Sequence, residues 1–144
     1  MTQECHAVKC ASSCYYQLRR IWQMRRFVDD NAFRTLVHSL VTSRLDYTVT
    51  VCWPVAVSVK VIARLQRVQN NATRLICNQP RGSHSAPLLR QLHWLPIASR
   101  IQYKLCILTY DVYHGTAPSY SLRELYHVLF GDSNVPDVRE SNQL

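Results

Sequence analysis

Apolar residues recur every three or four positions along most of this chain, with polar residues between them. Because side chains three or four residues apart share one face of a helix, this spacing predicts amphipathic helices. Pro96 can open one of them, since a first turn does not need its missing amide proton, and Gly115 can end it. The pattern predicts helices over residues 10–27, 31–45, 58–77, 96–115 and 118–130, with a short turn over residues 86–91.

Residues 47–59 do not follow the helical pattern. β-Branched residues dominate this stretch, which favours extended chain, and Pro54 interrupts it. We interpret the stretch as a linker, for which a short extended conformation is one option. Residues 131–144 are mostly polar, and we expect them to form a frayed tail.

Glycine is scarce, which also favours helices over hairpins. The chain has 144 residues, and three of them are glycine. That length suits one domain, and so few glycines disfavour tight hairpins and phosphate-cradling loops. We therefore predict an all-α fold, an orthogonal bundle of about five helices that forms a single domain over residues 1–144.

The distribution of charge indicates a polyanionic partner. The chain has 17 Lys and Arg against nine Asp and Glu, which gives a formal net charge of +8, and 14 of the 17 cations are Arg. No acidic residue lies between Tyr47 and Tyr110, although eight cations do. Such a single-sign block is typical of a nucleic-acid footprint, and a basic solvated surface is the alternative interpretation. The eight are Lys60, Arg64, Arg67, Arg74, Arg81, Arg90, Arg100 and Lys104.

The predicted helix over residues 58–77 separates its apolar and basic positions most clearly. Val61, Leu65, Val68, Ala72 and Leu75 fall in one arc at ~100° per residue, the face that would pack. A second arc holds Lys60, Arg64, Arg67 and Arg74, which we predict to contact nucleic-acid phosphates. Phosphate contacts carry no sequence information and weaken with salt.

A second predicted cluster of phosphate-binding cations lies in the first helix. Its members are Arg19, Arg20, Arg25 and Arg26. Trp22 lies among them, and we expect this residue, like the other tryptophans, to pack in the core rather than to stack on bases. A solvated face is the alternative for both clusters.

The cysteines and histidines do not form a recognisable metal or catalytic motif. The six cysteines include no CxxC pair, and no signal-peptide-like or membrane-length apolar run occurs. We therefore expect reduced thiols in an intracellular protein, cytoplasmic or nuclear, with no membrane contact. Cys5, His6, Cys10 and Cys14 could be drawn as a zinc set, but their spacing better fits a helix face. We predict no metal, no cofactor and no catalytic residue, and we interpret His93 as a packed or capping side chain.

Six phrases in the sequence together resemble one family. They are Tyr16-Gln17-Leu18-Arg19-Arg20-Ile21, Leu36-Val37-His38-Ser39-Leu40-Val41-Thr42-Ser43-Arg44-Leu45-Asp46-Tyr47, Leu65-Gln66-Arg67-Val68-Gln69-Asn70-Asn71-Ala72-Thr73-Arg74-Leu75, Leu92-His93-Trp94-Leu95-Pro96-Ile97, Arg100-Ile101-Gln102-Tyr103-Lys104-Leu105 and His114-Gly115-Thr116-Ala117-Pro118-Ser119-Tyr120. In this order they resemble the segment that follows the catalytic palm in reverse transcriptases of LINE-type (non-LTR) retrotransposons. After Tyr47 the chain departs from the family pattern.

The resemblance implies a non-catalytic fragment of an RNA-directed DNA polymerase. In the family, palm aspartates hold the Mg²⁺ and a helical thumb grips the template–primer backbone. Residues 10–78 would correspond to the thumb and residues 85–130 to the helices beyond it. The implied partner is an RNA–DNA hybrid or duplex backbone, bound without sequence preference, and the missing palm is a further candidate.

Asp29 and Asp30 mimic a palm metal motif in sequence. They follow Phe27 and Val28, but they come after a helix that matches the family's segment beyond the palm. We interpret them as a helix cap. An inactive transposon relic, or a protein–protein interaction scaffold, is the alternative function.

Overall fold

The computed structural model describes residues 3–51, 58–118 and Leu125. All secondary-structure elements in this part of the chain are helices, and it contains no strand. Its elements are α1 (Gln3–Met24), α2 (Asp30–Val37), a π-helical segment (His38–Thr42), α3 (Ser43–Val51), α4 (Val59–Ile76), α5 (Ser85–Gln91) and α6 (Ile97–Tyr113). Because α2, the π-helical segment and α3 are continuous, the described residues form five helical rods. The prediction of an all-α bundle is confirmed.

The predicted linker is wrong for its first residues. α3 continues to Val51, and Thr48 and Val49 are almost completely buried in it. The Thr48 hydroxyl donates to the Arg44 carbonyl oxygen at 2.8 Å, so this β-branched residue is satisfied inside a helix. Burial against α1 thus overrides the extended preference of the composition. Residues 52–57 lie outside the described part of the chain.

The other predicted boundaries shift by a few residues. α1 begins at Gln3 and ends at Met24, so residues 25–27 form a turn after the helix rather than its end. The segment 86–91, predicted as a turn, is the short helix α5. α6 begins after Pro96 and is followed by Gly115, whose φ of 67° lies in the left-handed region that ends helices. The predicted helix 118–130 lies outside the described residues except for its first residue and Leu125, which is helical and buried.

The core lies where α1, the α2–α3 rod and α4 meet. Phe33, Leu45, Leu65 and Ile97 are among the largest side chains that are fully buried. α4 packs on α1, α2, α5 and α6, which makes it the central helix among those described. Burial of each such side chain stabilises the fold by about 1.5–3 kcal/mol.

A widened turn interrupts the α2–α3 rod. Two serine hydroxyls in and just after the π-helical segment His38–Thr42 bond back to the helix, Ser39 to the Leu36 carbonyl oxygen at 3.2 Å and Ser43 to the Ser39 carbonyl oxygen. Such back-bonding accompanies local distortion of a helix. The Thr42 hydroxyl in this segment is buried without a hydrogen-bond partner in the described residues.

Two glutamines of α4 hold the beginning of α6. Gln66 Oε1 accepts the amide proton of Ile97 at 2.8 Å, and Gln69 Nε2 donates to the Leu95 carbonyl oxygen at 2.8 Å. Gln66 also donates to Gln69 Oε1 at 3.0 Å, so the pair is linked. The first amides of a helix have no partner within the helix, and Pro96 at the N-cap makes no side-chain bond. Gln66 therefore supplies from α4 an acceptor that α6 lacks.

An ion pair fixes the next turn of α6 on α3. The Arg100 guanidinium pairs with the Asp46 carboxylate and also donates from Nε to the Leu95 carbonyl oxygen at 2.9 Å. Lys104 donates to the Asp46 carbonyl oxygen at 3.1 Å. Asp46 therefore binds two of the eight cations in the single-sign block.

We expect Gln66→Ala to lower the free energy of unfolding by about 1–3 kcal/mol, because it leaves the buried Ile97 amide without an acceptor. Urea denaturation followed by circular dichroism measures the loss. The matched control is Gln102→Ala on the exposed face of α6, which should change stability by less than about 0.5 kcal/mol. Equal stability of the two variants would contradict this role of Gln66.

Candidate nucleic-acid interface

The apolar arc of α4 is buried and orients the helix. Val61, Leu65, Val68 and Ala72 lie in the core, and Leu75 packs against it half-buried. The Ser58 side chain caps the helix by accepting the Lys60 amide proton at 3.3 Å. A helix that is fixed along one face and at its first turn presents its other face rigidly.

Three of the four predicted cations of α4 face solvent. Lys60, Arg64 and Arg67 are exposed, and neither ion pair within residues 3–51 and 58–118 involves them. At a rise of ~1.5 Å per residue, the row from Lys60 to Arg67 spans about 10 Å. We refer to Lys60, Arg64 and Arg67 as the α4 row.

Arg74 differs from the α4 row because it holds the following loop. Its Nε donates to the Ser83 carbonyl oxygen at 2.9 Å, and its Nη1 donates to Asn71 Oδ1 at 3.2 Å. The side chain is half-buried. These two bonds give Arg74 a structural role that the helical periodicity could not reveal.

The predicted cluster in α1 is also divided. Arg19 is exposed on α1, and Arg26 is exposed in the turn that follows it. Arg20 donates to the Tyr16 hydroxyl at 3.0 Å, and its guanidinium lies 5.8 Å from the centre of that ring. Both contacts leave Arg20 on the surface.

Arg25 is the most engaged cation of this cluster. It pairs with Asp30 at 2.7 Å, and its guanidinium stacks 4.3 Å from the centre of the Phe33 ring. These contacts join the end of α1 to the beginning of α2. Asp29 occupies the N-cap position of α2, as predicted, although its side chain makes no capping hydrogen bond.

The α1 cluster and the α4 row lie on neighbouring helices, since α1 packs on α4. Asn71, which follows Arg67 by one turn, donates to the Tyr15 hydroxyl of α1 at 3.3 Å. This contact lies one turn before Arg19 in α1 and one turn after Arg67 in α4.

The remaining cations of the single-sign block behave in two ways. Arg81 and Arg90 are exposed, whereas Arg100 and Lys104 bind Asp46. With Arg74 held by the loop, three of the eight cations stabilise the fold. The exposed positive charge of this block lies on the α4 row and on the loop and short helix that follow it.

Cys10 and Cys14, whose spacing fits one helix face, form a thiol pair on α1. The sulfurs of Cys10 and Cys14 lie 4.0 Å apart, and the Thr48 hydroxyl lies 2.8 Å from the Cys10 sulfur. These neighbours lower the pKa of Cys10 to about 6, first because Cys14 donates a hydrogen bond to the thiolate, then through Thr48 and nearby positive charge, against the effect of burial. Donation to Cys10 and burial raise the pKa of Cys14.

No group of three or more His, Cys, Asp or Glu within the described residues could hold a metal ion.

A cleft between α2 and the loop before α6 also escaped the sequence pattern. Arg34 and His38 line it together with His93 and Trp94, which come from a distant part of the chain. His93, predicted to be packed or capping, is exposed and has a φ of 54°. Only the tertiary fold brings these side chains together.

Comparison of the chain with protein-family models, curated proteins and solved structures finds no match. Among the described helices, none is long and apolar enough to cross a membrane.

We expect Cys10 to react with iodoacetamide at a rate whose pH profile has its midpoint near 6, because the thiolate is the nucleophile. Peptide mapping by mass spectrometry between pH 5 and 9 measures the rate of each cysteine. Cys14→Ala removes the main hydrogen-bond donor and should move the Cys10 midpoint upward. A midpoint that stays unchanged in this variant would refute the role of Cys14.

Proposed function

We propose that this chain is a non-catalytic, thumb-like fragment of a non-LTR retrotransposon reverse transcriptase. It binds the sugar–phosphate backbone of a template–primer duplex through the α4 row. The single observation that carries the proposal is that Lys60, Arg64 and Arg67 are exposed on one rigid face and have no carboxylate partner among the described residues. An intracellular location belongs to the same proposal.

Chemistry favours such a role for these side chains. Arginine donates bidentate hydrogen bonds to phosphate and loses little hydration when it does so. Cations spaced along a helix can follow one strand of a duplex without reading its bases. Binding of this kind releases counterions, so its affinity falls steeply with salt.

Four of the six phrases that carry the resemblance contact one another in the bundle. Gln66 and Gln69 bind Leu95 and Ile97, and Asp46 pairs with Arg100. These phrases are thus joined by polar bonds as well as by apolar packing, and the resemblance falls on residues that hold the helices together.

The proposal assigns no catalytic step to this chain. Asp29 occupies the N-cap position of α2 and Asp30 pairs with Arg25, which supports the interpretation that neither corresponds to the palm aspartates that hold Mg²⁺ in the parent family. The chain's own residues would position a duplex for a palm elsewhere.

A protein–protein scaffold is the second candidate, and α6 favours it. Tyr103, Ile107, Tyr110 and Tyr113 are exposed at a spacing that places them along one side of the helix. Exposed apolar rows of this kind often mark protein contacts. This scaffold would bind a protein partner but would show no salt-sensitive binding of nucleic acid.

We expect Arg64→Gln/Arg67→Gln to weaken binding of an RNA–DNA hybrid about tenfold or more at low salt. Fluorescence anisotropy of a labelled hybrid, titrated at two salt concentrations, measures the affinity. The salt slope should become less steep by about 2, because two phosphate contacts are lost.

The matched control for this experiment removes the same charge elsewhere. Arg81→Gln/Arg90→Gln changes one residue in the loop after α4 and one in α5. This variant should keep most of the wild-type affinity and salt slope. Arg74→Gln should lower stability more than binding, since Arg74 holds the loop. If the two double variants lose the same affinity, the loss reflects net charge rather than the α4 row. If the wild-type protein does not bind the hybrid, the scaffold function is favoured.

A further inference from the structure

The cleft between α2 and the loop before α6 has the size and chemistry of a ligand site. Its volume is about 380 Å³, and its walls come from α2, the end of α4 and residues 91–94. Pockets for small ligands have volumes of roughly 300–1,000 Å³. None of the α4 row lines the cleft, so it is distinct from the proposed duplex-binding face.

Among the described residues, the polar lining of the cleft includes an arginine and two histidines and no carboxylate. Arg34 of α2 and His38, the first residue of the π-helical segment, lie one turn apart, and His93 lines the same cleft from the loop before α6. Within residues 3–51 and 58–118, none of these three side chains has a hydrogen bond to protein or an ion pair. Asp30, the acidic residue nearest to Arg34 in the helix, is paired with Arg25. An oxyanion would therefore meet a set of donors without displacing a partner.

The apolar lining of the cleft includes an indole. Trp94 is half-buried and packs against the core, and Ile76, which is almost fully buried, lines the same cleft. An indole ring can stack on a planar aromatic ring. The cleft thus offers donors for an anion and an aromatic surface for stacking.

The backbone around the cleft departs from regular geometry at His38 and at His93, and hydrogen bonds fix it near His93. His38 begins the π-helical segment, and isolated π-helical turns frequently occur at functional sites. His93 has a φ of 54°, a left-handed conformation that costs a non-glycine residue free energy. The loop is fixed there because the His93 amide donates to the Arg90 carbonyl oxygen at 3.0 Å and the Trp94 amide to the Leu89 carbonyl oxygen at 2.8 Å.

We propose that this cleft binds a single nucleotide, with the phosphate on Arg34 and the histidines and the base against Trp94. The nucleotide is either a free nucleoside monophosphate or an unpaired nucleotide of a strand, since both present a phosphate oxyanion together with a planar base. Arg34 supplies the bidentate donors that a phosphate prefers. The inference does not depend on the proposed function, because a mononucleotide does not need the α4 row.

Isothermal titration with AMP, adenosine and a short 5′-phosphorylated single-stranded oligonucleotide tests the proposal. AMP should bind at least about tenfold more tightly than adenosine, because only AMP carries a negatively charged phosphate for Arg34. If AMP binds, the source can be a free nucleotide. If only the oligonucleotide binds, and Arg34→Gln abolishes this binding, the occupant is a nucleotide of a strand.

The variants localise the binding. Arg34→Gln should weaken it about tenfold or more, and Trp94→Leu should weaken adenosine and AMP alike. Because Trp94→Leu can disturb folding, His38→Gln at an exposed position provides a second test that leaves the core intact. Arg81→Gln removes the same charge outside the cleft and should leave the affinity unchanged. No binding of either phosphorylated probe, or binding that survives Arg34→Gln, would overturn the proposal.

Discussion

The burial of one face of α4 is the constraint on which the other contacts depend. Val61, Leu65, Val68 and Ala72 fix the rotation of this helix against α1 and α2. With the rotation fixed, the glutamines turn toward the start of α6 and the α4 row turns toward solvent. A change that rotated α4 would therefore disturb the attachment of α6 and the exposed basic face together.

The guanidinium groups of the arginines have two different roles in this protein. A planar guanidinium can bind a carbonyl oxygen or a carboxylate within the protein, or it can remain exposed to solvent, where a phosphate can bind it. Arg74 and Arg100 make the first kind of contact and cross-link loops and helices. Arg64 and Arg67 remain exposed, and they are the cations to which the proposed function assigns the duplex backbone.

Two features of the bundle extend beyond its basic face. The Cys10–Cys14 pair places a thiolate with a lowered pKa beside a buried thiol, and the cleft at Arg34 places donors beside an indole. Each joins residues from different elements around one reactive or anion-seeking group. The duplex-binding proposal uses neither, so each can be tested while the α4 row is intact.

The sequence by itself determined that the fold is helical, where α4 begins and ends within a residue, and that α6 follows Pro96 and stops before Gly115. Local rules suffice for these features, because periodic apolar residues, caps and glycine act within one or two turns. The sequence did not predict that α3 runs through Thr48 and Val49, since burial against a distant helix outweighs β-branched propensity. Likewise, periodicity placed Arg74 in one row with Arg64 and Arg67. Only the tertiary structure decided which arginines meet an oxygen of the protein, because helical periodicity does not show where a following loop returns, as for Arg74 and Ser83, or which distant helix packs alongside, as for Arg100 and Asp46.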